Sequence, residues 1–416
     1  MDIFAKFLKD KGPIGQYQEY AQEYFAFPKL EGEISNRMMF RGKERIVWSL
    51  NNYLGLGNHP EIRKTDTEAA AAWGMAYPMG ARMMSGNTNY HDQLERELAD
   101  FVGKEDVMML NFGYQGMSSA IDALLSRHDV VVYDAEAHAC ILDGMRMHVG
   151  KRFVYKHNDI EDCEKQLKRA QDLIKDTPGG ILVITEGVFG MNGNQGKIKE
   201  LAALKKKYEF RLFVDDAHGF GTMGKTGAGI GEEQDCMDDI DIYFSTFAKS
   251  MASIGGFIGG SKDILFYLRY NMRSQLFAKS MPMVVVIGAL KRLEMIRKHP
   301  EFKEKLWENV RALQNGLKER GFNIGTTNTP VTPVYMESGV TDAAQLVVDL
   351  RENYNIFCSI VMYPVIPKGH LILRLIPTAV HTMEDIQETL VAFSAVREKV
   401  EKGSYPKEIP MMNAHA

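Results

Sequence analysis

The feature that most constrains the fold is an alternation of apolar runs with amphipathic helical stretches between about residues 56 and 290. Short β-branched runs recur at 130–135, 181–187, 211–219 and 241–248. The stretches between them repeat their apolar residues at helical spacing, as at 160–175 and 197–209. Apolar strands that alternate with amphipathic helices are typical of a parallel sheet covered on both faces. We therefore expect an α/β fold built on a large, mainly parallel sheet.

The sequence changes character from about residue 291. A charged helical stretch at 301–321 precedes short strand-like runs, and a last helical stretch covers 383–403. This order predicts a smaller C-terminal α+β domain. The expected organisation is an N-terminal arm with helices, a large domain, a small domain and a tail, at residues 1–55, 56–290, 291–403 and 404–416.

Composition limits the classes of partner. The chain has 416 residues, 45% hydrophobic and 25% charged, with a net charge of −4, which argues against nucleic acid as the main partner. Four widely spaced cysteines without a CxxC pair indicate reduced thiols in a cytoplasmic protein, with neither disulfides nor a metal site. No stretch approaches about 18 uncharged apolar residues, so we expect no transmembrane segment.

Chemically capable side chains fall at the ends of the predicted strands. Asp134, Glu186, Asp215 and Lys249 lie at or just past such ends. Ligands of parallel sheets bind at this edge. A partly desolvated Lys249 can condense with an aldehyde, and Asp215 can keep a ring nitrogen protonated, which is what pyridoxal 5′-phosphate (PLP) requires. Taken alone, Lys249 fits a solvated strand end, and Asp215 fits a helix cap or a buried salt bridge.

Further residues complete this candidate site. His138 can stack on the cofactor ring, or it is a core histidine, and His218 can reach the phenolic oxygen. A glycine turn at 111–117 before a predicted helix suits a phosphate, with the Thr246 hydroxyl added. Arg374, in an apolar run, suits a carboxylate, or it is a paired structural arginine.

The motifs together resemble the alpha-oxoamine synthases, which are fold-type I PLP-dependent acyltransferases. The matching segments occur in the family's order and cover roughly residues 45–390: NNYLGL (51–56), HDQLERELADF (91–101), DAEAHA (134–139), TEGVFGMNG (185–193), VDDAHGFG (214–221), TFAKS (246–250) and RLIPTAVHT (374–382). No single segment is specific, but the ordered set is.

The resemblance implies a role for each of these positions. Lys249 is implied to bond covalently to the cofactor's aldehyde, Asp215 to pair with the pyridine nitrogen, and His138 to stack on the ring. The remaining implied contacts are His218 at the ring oxygen, Gly113, Tyr114 and Thr246 at the phosphate, Ser280 at the phosphate of a partner subunit, and Asn51 with Arg374 at the amino-acid carboxylate. The family's site spans a dimer interface, which implies a homodimer.

Several positions depart from the family pattern. Ala81 replaces a common serine, a serine is common where Gly190 stands, and an acidic residue is common where Asn192 stands. The partner-phosphate segment carries Ala278 and Lys279, leaving only Ser280 as a hydroxyl. Lys279 either compensates at the phosphate, serves a further anion, or is a solvated side chain, which we favour. These departures concern the substrate and leave the reaction class unchanged.

The resemblance implies decarboxylative condensation of a small amino acid with a long-chain acyl thioester, on acyl carrier protein or coenzyme A, to give an alpha-amino ketone for sphingolipid-type or sulfonolipid synthesis. The sequence is most similar to serine palmitoyltransferase-like members, and we favour cysteate over serine as the amino acid. Alternatives are a glycine C-acetyltransferase, an aminotransferase or lyase of the same fold, and a non-catalytic scaffold.

The N-terminal segment is amphipathic. Ile3, Phe4, Phe7 and Leu8 stand beside Lys6, Lys9 and Lys11. Such a segment can make peripheral membrane contact. Packing of the arm on the dimer is the interpretation that we favour.

Overall fold

The structure is a computed structural model that describes residues 2–336, 340–363, 365, 366 and 370–406; the remainder of the predicted tail lies outside the described residues. The strands are β1 (Leu30–Glu31), β2 (Arg37–Phe40), β3 (Lys43–Val47), β4 (Asp106–Leu110), β5 (Val130–Asp134), β6 (Lys151–Tyr155), β7 (Ile181–Glu186), β8 (Arg211–Asp215), β9 (Ile242–Thr246), β10 (Gly256–Gly260), β11 (Thr332–Tyr335), β12 (Ile356–Phe357), β13 (Ser359–Val361) and β14 (Ile372–Leu375).

The α-helices are α1 (Ala5–Lys9), α2 (Gly12–Gly15), α3 (Gln18–Ala21), α4 (Pro60–Trp73), α5 (Asn89–Val102), α6 (Gly113–Leu124), α7 (Ala139–Met147), α8 (Ile160–Ile174), α9 (Ile198–Ala203), α10 (Ile230–Glu233), α11 (Lys262–Asn271), α12 (Arg273–Leu276), α13 (Met283–Lys298), α14 (Pro300–Glu319), α15 (Val340–Tyr354) and α16 (Met383–Glu401). Short 3-10 turns lie at Leu56–Asn58, Leu204–Lys206 and Met237–Asp239.

The chain divides into two compact units. The larger unit comprises Asn51–Gly190 and Asn194–Glu304. The smaller unit comprises the chain up to Leu50, the segment Met191–Gly193 and the chain from Lys305 onward. The chain therefore changes unit at Leu50 and Glu304, whereas the sequence suggested boundaries at residues 55 and 290.

A seven-stranded sheet forms the centre of the larger unit, in the order β4-β10-β9-β8-β7-β5-β6. β5, β6, β7, β8 and β9 pair in parallel, and β10 is antiparallel to both β4 and β9. All six residues of β7 are buried, as a strand covered on both faces requires. The expected large, mainly parallel sheet is confirmed, and the strand ends that carry the candidate residues lie along its carboxyl edge.

Helix α8 illustrates how the sequence specifies the covering layer. Its buried residues Cys163, Gln166, Leu167 and Ala170 repeat at helical spacing. Asp159 begins the helix as its N-cap, because its side chain accepts a hydrogen bond of 2.9 Å from Asp162 N. The amphipathic pattern and this cap fix one face of the helix on the sheet.

The smaller unit combines two sheets with helices α14, α15 and α16. β11-β14-β13 form an antiparallel sheet, while β1-β2-β3-β12 form another in which β3 and β12 are parallel. Trp48 is fully buried and stacks on His381, with ring centroids 4.0 Å apart. Thr382 and Asp385 form a reciprocal capping box at the start of α16. The mixed α and β content agrees with the expected α+β character.

A buried arginine organises the N-terminal segment of the smaller unit. Arg351, on α15, is 2% exposed, and its guanidinium lies 4.0 Å from the Phe357 ring centroid and 4.9 Å from that of Tyr24. It donates hydrogen bonds to Tyr24 O at 2.5 Å and to Cys358 O at 3.0 Å. One side chain thus joins residues from both ends of the sequence.

No helix among the described residues is long and apolar enough to cross a bilayer. Ile3, Phe4, Phe7 and Leu8 are between 57% and 83% exposed in the smaller unit. Whether a membrane or a partner covers them stays a prediction.

Candidate active site

The sheet register places the principal candidates on adjacent strands. Asp215 is the last residue of β8 and pairs in register with Glu186 of β7 and Phe244 of β9. Strand β9 ends at Thr246, and Lys249 follows three residues later. The turn beyond Lys249 closes when Ala252 N donates to Lys249 O at 2.8 Å, with Ala252 at a φ of +43°. Few non-glycine residues adopt this left-handed conformation, and those that do often lie in functional turns.

Lys249, Asp215 and His138 share one electrostatic environment. Asp215 is 4% exposed, whereas Lys249 is half-buried. Burial raises the pKa of Asp215, and the charges of Lys249 and His138 oppose that rise, as does a 3.1 Å hydrogen bond from Ala217 N. The charges of Lys249 and His138 therefore favour the anion of Asp215 against the burial that raises its pKa, and an anion at this position can keep a pyridine nitrogen protonated.

A second buried carboxyl group accompanies Asp215. Glu186 is 6% exposed, and burial followed by the charge of Asp215 raises its pKa well above the usual range. Two neighbouring carboxyl groups do not readily ionise together. Burial and the charge of Asp215 thus favour the protonated form of Glu186.

His138 begins helix α7 as its N-cap. Its Nδ1 accepts from Cys140 N at 3.3 Å and lies 3.0 Å from Cys140 Sγ, while Cys140 Sγ lies 3.9 Å from Asp215 Oδ2. The pKa of His138 is lowered by desolvation first and by the charge of Lys249 next, against the charge of Asp215. As a residue His138 is exposed, and its ring meets the Tyr114 ring edge-on with centroids 6.0 Å apart.

The start of helix α6 suits a phosphate. Gly113 lies against Thr246, since a Cβ at residue 113 would stand 2.9 Å from Thr246 Oγ1. Within the described part of the chain, no side chain caps this helix, which leaves the first-turn N–H groups for an anion. Thr246 Oγ1 donates to Gly255 O at 2.9 Å, and Tyr114 directs its hydroxyl to Asp143 at 2.5 Å.

His218 lies on the turn that follows β8. Its Nδ1 is 2.7 Å from the Tyr53 hydroxyl, and both side chains are buried. On its other side, a Cβ at Gly190 would stand 2.2 Å from His218 Nε2. Gly190 therefore makes room for the imidazole at a position where a serine is common in the family that the sequence resembles.

The neighbouring Asp216 has a structural position. It is fully buried, and its Oδ2 accepts from Ile230 N at 2.7 Å and from the Tyr243 hydroxyl at 2.8 Å. Burial raises its pKa to about 7. Its carboxyl group holds the glycine-rich loop after His218 against the sheet.

Asp134 was expected at the same edge, and it is the last residue of β5, where its side chain is bound by the turn that follows β6 and by its own turn. Its carboxylate accepts from Glu136 N at 2.9 Å, from Asn158 N at 3.0 Å and from His157 Nδ1 at 3.0 Å. It is fully buried. These hydrogen bonds explain why an aspartate is buried at the end of this strand, and no ligand is needed to explain it.

The segment around Ser280 lies against the loop at residues 80–86. Ser280 N donates to Gly80 O at 2.8 Å, and Ser280 is 3% exposed. Its hydroxyl has no hydrogen-bond partner among the residues that the structure describes. Lys279 is exposed, with its Nζ 3.3 Å from Met75 O. The implied contact of Ser280 with a partner's phosphate stays a prediction.

Arg82 has partners within its own unit. It donates to Glu95 at 2.8 Å and to Asn87 at 2.6 Å. Glu95 in turn accepts from Met109 N at 2.8 Å. The arginine beside Ala81 thus fastens its loop to α5 and β4.

The two residues implied at a carboxylate fall in different units. Asn51 is half-buried at the start of the larger unit, and Arg374 is 9% exposed on β14 of the smaller unit. Arg374 is in register with Pro333 and Ser359, so it lies on the central strand of its sheet. Their joint role stays a prediction.

Sequence reasoning missed Tyr53 and Cys140 as neighbours of the two histidines. Tyr53 belongs to NNYLGL, and Cys140 follows His138 by two residues. The cap geometry of α7 could have indicated Cys140. No local pattern could have indicated Tyr53, because 165 positions separate it from His218.

These observations fit PLP. Lys249 can bond to an aldehyde, and Asp215 and His138 can contact a ring. The uncapped start of α6, with its glycine, can bind a phosphate. All of them belong to the larger unit. The site is therefore that of a PLP-binding enzyme of fold type I.

Comparisons with known proteins agree with this class. A family model described as aminotransferase class I and II matches residues 43–393. The chain is 62% identical over 404 residues to the cysteate-C-fatty acyltransferase of Capnocytophaga ochracea, covering 97% of this chain and 96% of that protein. It is 34% identical over 374 residues to the serine palmitoyltransferase of Bacteriovorax stolpii, covering 90% of this chain and 87% of that protein.

Solved structures give the same result. The serine palmitoyltransferase of S. paucimobilis with a bound PLP–myriocin aldimine has a TM-score of 0.88 at 29% identity, covering 97% of this chain and all 100% of that chain. The chain therefore belongs to the aminotransferase class I and II family, in its alpha-oxoamine synthase branch. The expected family and fold class are confirmed.

Proposed function

We propose that this protein is a PLP-dependent acyltransferase that condenses cysteate with a long-chain acyl thioester, releases carbon dioxide and forms an alpha-amino ketone for sulfonolipid synthesis. The observation that carries the proposal is the convergence of Lys249, Asp215 and His138 at one sheet edge. The 62% identity to a cysteate-C-fatty acyltransferase over nearly the whole chain supports cysteate as the amino acid. Serine is the second candidate, supported by the serine palmitoyltransferase relatives.

Each residue has a defined task in this reaction. PLP, when bound, supplies an aldehyde that captures the amino acid and a ring that absorbs negative charge from its alpha carbon. Lys249, which is half-buried, would remove and return the alpha proton. Asp215 would keep the pyridine nitrogen protonated, and the His138 ring would cover one face of the cofactor. Gly113, Tyr114 and Thr246 would help to hold the phosphate, and Arg374 and Asn51 would bind the substrate carboxylate.

We further propose a cytoplasmic homodimer that uses acyl carrier protein or coenzyme A as the carrier. The larger unit exposes an apolar surface, here called the methionine patch, formed by Met75, Met79, Met83, Met84 and Phe277. These residues are between 57% and 82% exposed. Hydrogen bonds from Ser280 N to Gly80 O at 2.8 Å and from Met283 N to Tyr77 O at 3.0 Å join its two segments. Such exposed patches favour association.

The test is a panel of cysteate, serine, glycine and alanine with a long-chain acyl thioester. Thiol release and carbon dioxide are measured together with the absorption spectrum of the bound cofactor. We expect cysteate to give the highest kcat/KM, and K249A to lose turnover while it retains the fold and PLP binding. A keto acid with pyridoxamine phosphate as the products would instead establish transamination. Faster turnover of serine than of cysteate would change the proposed substrate.

A further inference from the structure

A hairpin follows β7 at the carboxyl edge of the large sheet. Residues 187–196, here called the site hairpin, turn back so that Val188 and Gln195 form an antiparallel bridge and Gly196 N donates to Gly187 O at 2.8 Å. Its two limbs belong to the larger unit. These contacts hold the limbs to each other, and further contacts determine where the hairpin lies on the sheet.

The first limb of the site hairpin touches two residues of the candidate active site. Gly187 N donates to Asp215 O at 2.8 Å. A Cβ at Gly190 would stand 2.2 Å from His218 Nε2, so the limb passes directly beside the imidazole. A displacement of this limb would therefore change the surroundings of both Asp215 and His218.

The turn that follows β6 contacts both limbs from outside. Asn158 Nδ2 donates to Gln195 O at 3.0 Å, and Asn158 Oδ1 accepts from Lys197 N, just past the second limb, at 3.2 Å. The His157 ring meets the Phe189 ring of the first limb edge-on, with centroids 4.4 Å apart. Two consecutive residues thus contact opposite limbs of the hairpin.

This turn is itself bound to a buried carboxyl group. Asp134 is fully buried and accepts from Asn158 N at 3.0 Å, while His157 Nδ1 lies 3.0 Å from its other carboxyl oxygen. Asn158 has a φ of +53°, a left-handed conformation that asparagine tolerates better than most residues. The bonds to Asp134 and this conformation together orient the side chains of His157 and Asn158 toward the hairpin.

We propose that Asn158 and His157 are positioning residues that hold the site hairpin on the carboxyl edge of the large sheet. Asp134 supports them, because it binds the backbone of one and the ring of the other. Gln234 adds a contact to Gly196 O at 2.7 Å, on the second limb. Only the consequence for catalysis rests on the proposed function.

The direct test is hydrogen exchange of the full-length protein with PLP, measured by mass spectrometry at residue level. N158G removes both side-chain hydrogen bonds and keeps the left-handed backbone, which glycine adopts readily. Exchange of the Phe189 and Gly196 amides, which bond within the hairpin, should become roughly tenfold faster, while exchange in β8 stays unchanged. Unchanged exchange in the hairpin, or equal acceleration in β8, overturns the proposal.

A second variant and a control accompany N158G. H157A removes the ring beside Phe189 and should also accelerate exchange of the Phe189 amide; an unchanged rate would exclude His157 from the role. N355G is the matched control, because Asn355 is likewise left-handed, with a φ of +58°, and its side chain accepts from Arg45 in the smaller unit at 2.6 Å. It should leave the exchange of Phe189 and Gly196 as in the wild type.

The condensation reaction gives a second readout. Small misplacements of catalytic groups can slow the chemical step strongly. For N158G we therefore expect kcat to fall roughly tenfold, with the KM for the acyl thioester unchanged, whereas N355G should keep the wild-type kcat. A wild-type kcat for N158G would show that the position of the hairpin does not matter for the reaction.

The two experiments separate this proposal from the proposed function. If exchange responds as expected but the wild type does not condense an amino acid with an acyl thioester, the proposed function fails and the role of the turn stands. If condensation occurs but the hairpin is insensitive to N158G, the positioning role alone is wrong.

Discussion

Asp216 shows how a buried carboxyl group makes stability depend on pH. In the unfolded chain an aspartate titrates near its usual value of about 3.9, whereas burial raises the Asp216 pKa to about 7 in the folded protein. Between these values the folded state holds a proton that the unfolded state has lost. The free energy of unfolding therefore falls as the pH rises from about 4 to 7, and the full penalty applies above pH 7.

We predict that D216N removes this dependence. The Asn oxygen can still accept from Ile230 N and the Tyr243 hydroxyl, but the group no longer titrates. Urea unfolding of the apoprotein is measured at pH 5, 6 and 7. The free energy of unfolding of D216N should fall with pH less steeply than that of the wild type, by about 1.4 kcal/mol per pH unit. D263N, at an exposed aspartate, is the control and should follow the wild type. Parallel curves for D216N and wild type would contradict the prediction.

For single residues, the sequence was informative where a motif residue stands at the end of a predicted strand. The proximity of Asp215 and Lys249 could be predicted because they follow the adjacent strands β8 and β9, and His138 follows β5 at the same edge of the sheet. Tyr53 and Gly190 could not be given a role beside His218, since their proximity depends on how distant segments pack. Asp134 looked like a site residue because a strand-end aspartate that caps a turn has the same local sequence as one that binds a ligand.

Among the structural elements, the N-terminal segment depends on Arg351 of α15. Its guanidinium joins Tyr24 O and Cys358 O and lies over the rings of Tyr24 and Phe357. A lysine keeps the charge but lacks the planar fork that reaches both carbonyl groups. The arginine is therefore specific to this arrangement.

We predict that R351K lowers the free energy of unfolding by about 1.5–3 kcal/mol, the worth of a hydrogen bond to a charged group. It should also speed proteolytic cleavage within residues 2–30, because these residues lose an anchor. Denaturant unfolding and limited proteolysis measure the two effects. R311K, at an exposed site on α14, should change neither. If R351K unfolds and is cleaved like the wild type, the planar guanidinium of Arg351 is not needed to hold the N-terminal segment.

The strands themselves were predicted unevenly. The β-branched runs became β5, β7, β8 and β9 with shifts of a few residues at their ends. Strand β10 was not predicted, because its sequence GFIGG has three glycines and little strand propensity. The sheet requires at least one of these glycines: a Cβ at residue 256 would stand 2.6 Å from Ser245 O.

At the scale of the whole molecule, association should depend on the methionine patch. We predict that the wild type sediments as a dimer and that the double variant M84E/F277E sediments as a monomer. The two introduced charges should oppose burial of the methionine patch between two copies of the chain. Sedimentation equilibrium over a range of concentrations measures the change. L173E introduces a charge at an exposed site (46%) on α8 and should leave the dimer intact. A dimeric M84E/F277E protein would place the interface elsewhere.

The boundaries of the units were harder to predict than their classes. The sequence treated residues 1–55 as an arm, whereas the structure groups the chain up to Leu50 with the C-terminal segment. Local sequence could not reveal this grouping, because it depends on long-range contacts such as the parallel pairing of Ile46 with Ile356.

That pairing has a consequence for biosynthesis. Strand β3 leaves the ribosome roughly 300 residues before β12, its parallel neighbour, and it must persist for that interval without it. The segment Asn51–Glu304, by contrast, contains every strand of the seven-stranded sheet and can begin to fold while translation continues. Nascent chains stalled shortly after residue 304 should therefore protect the large sheet from protease and leave β1, β2 and β3 open to chaperones.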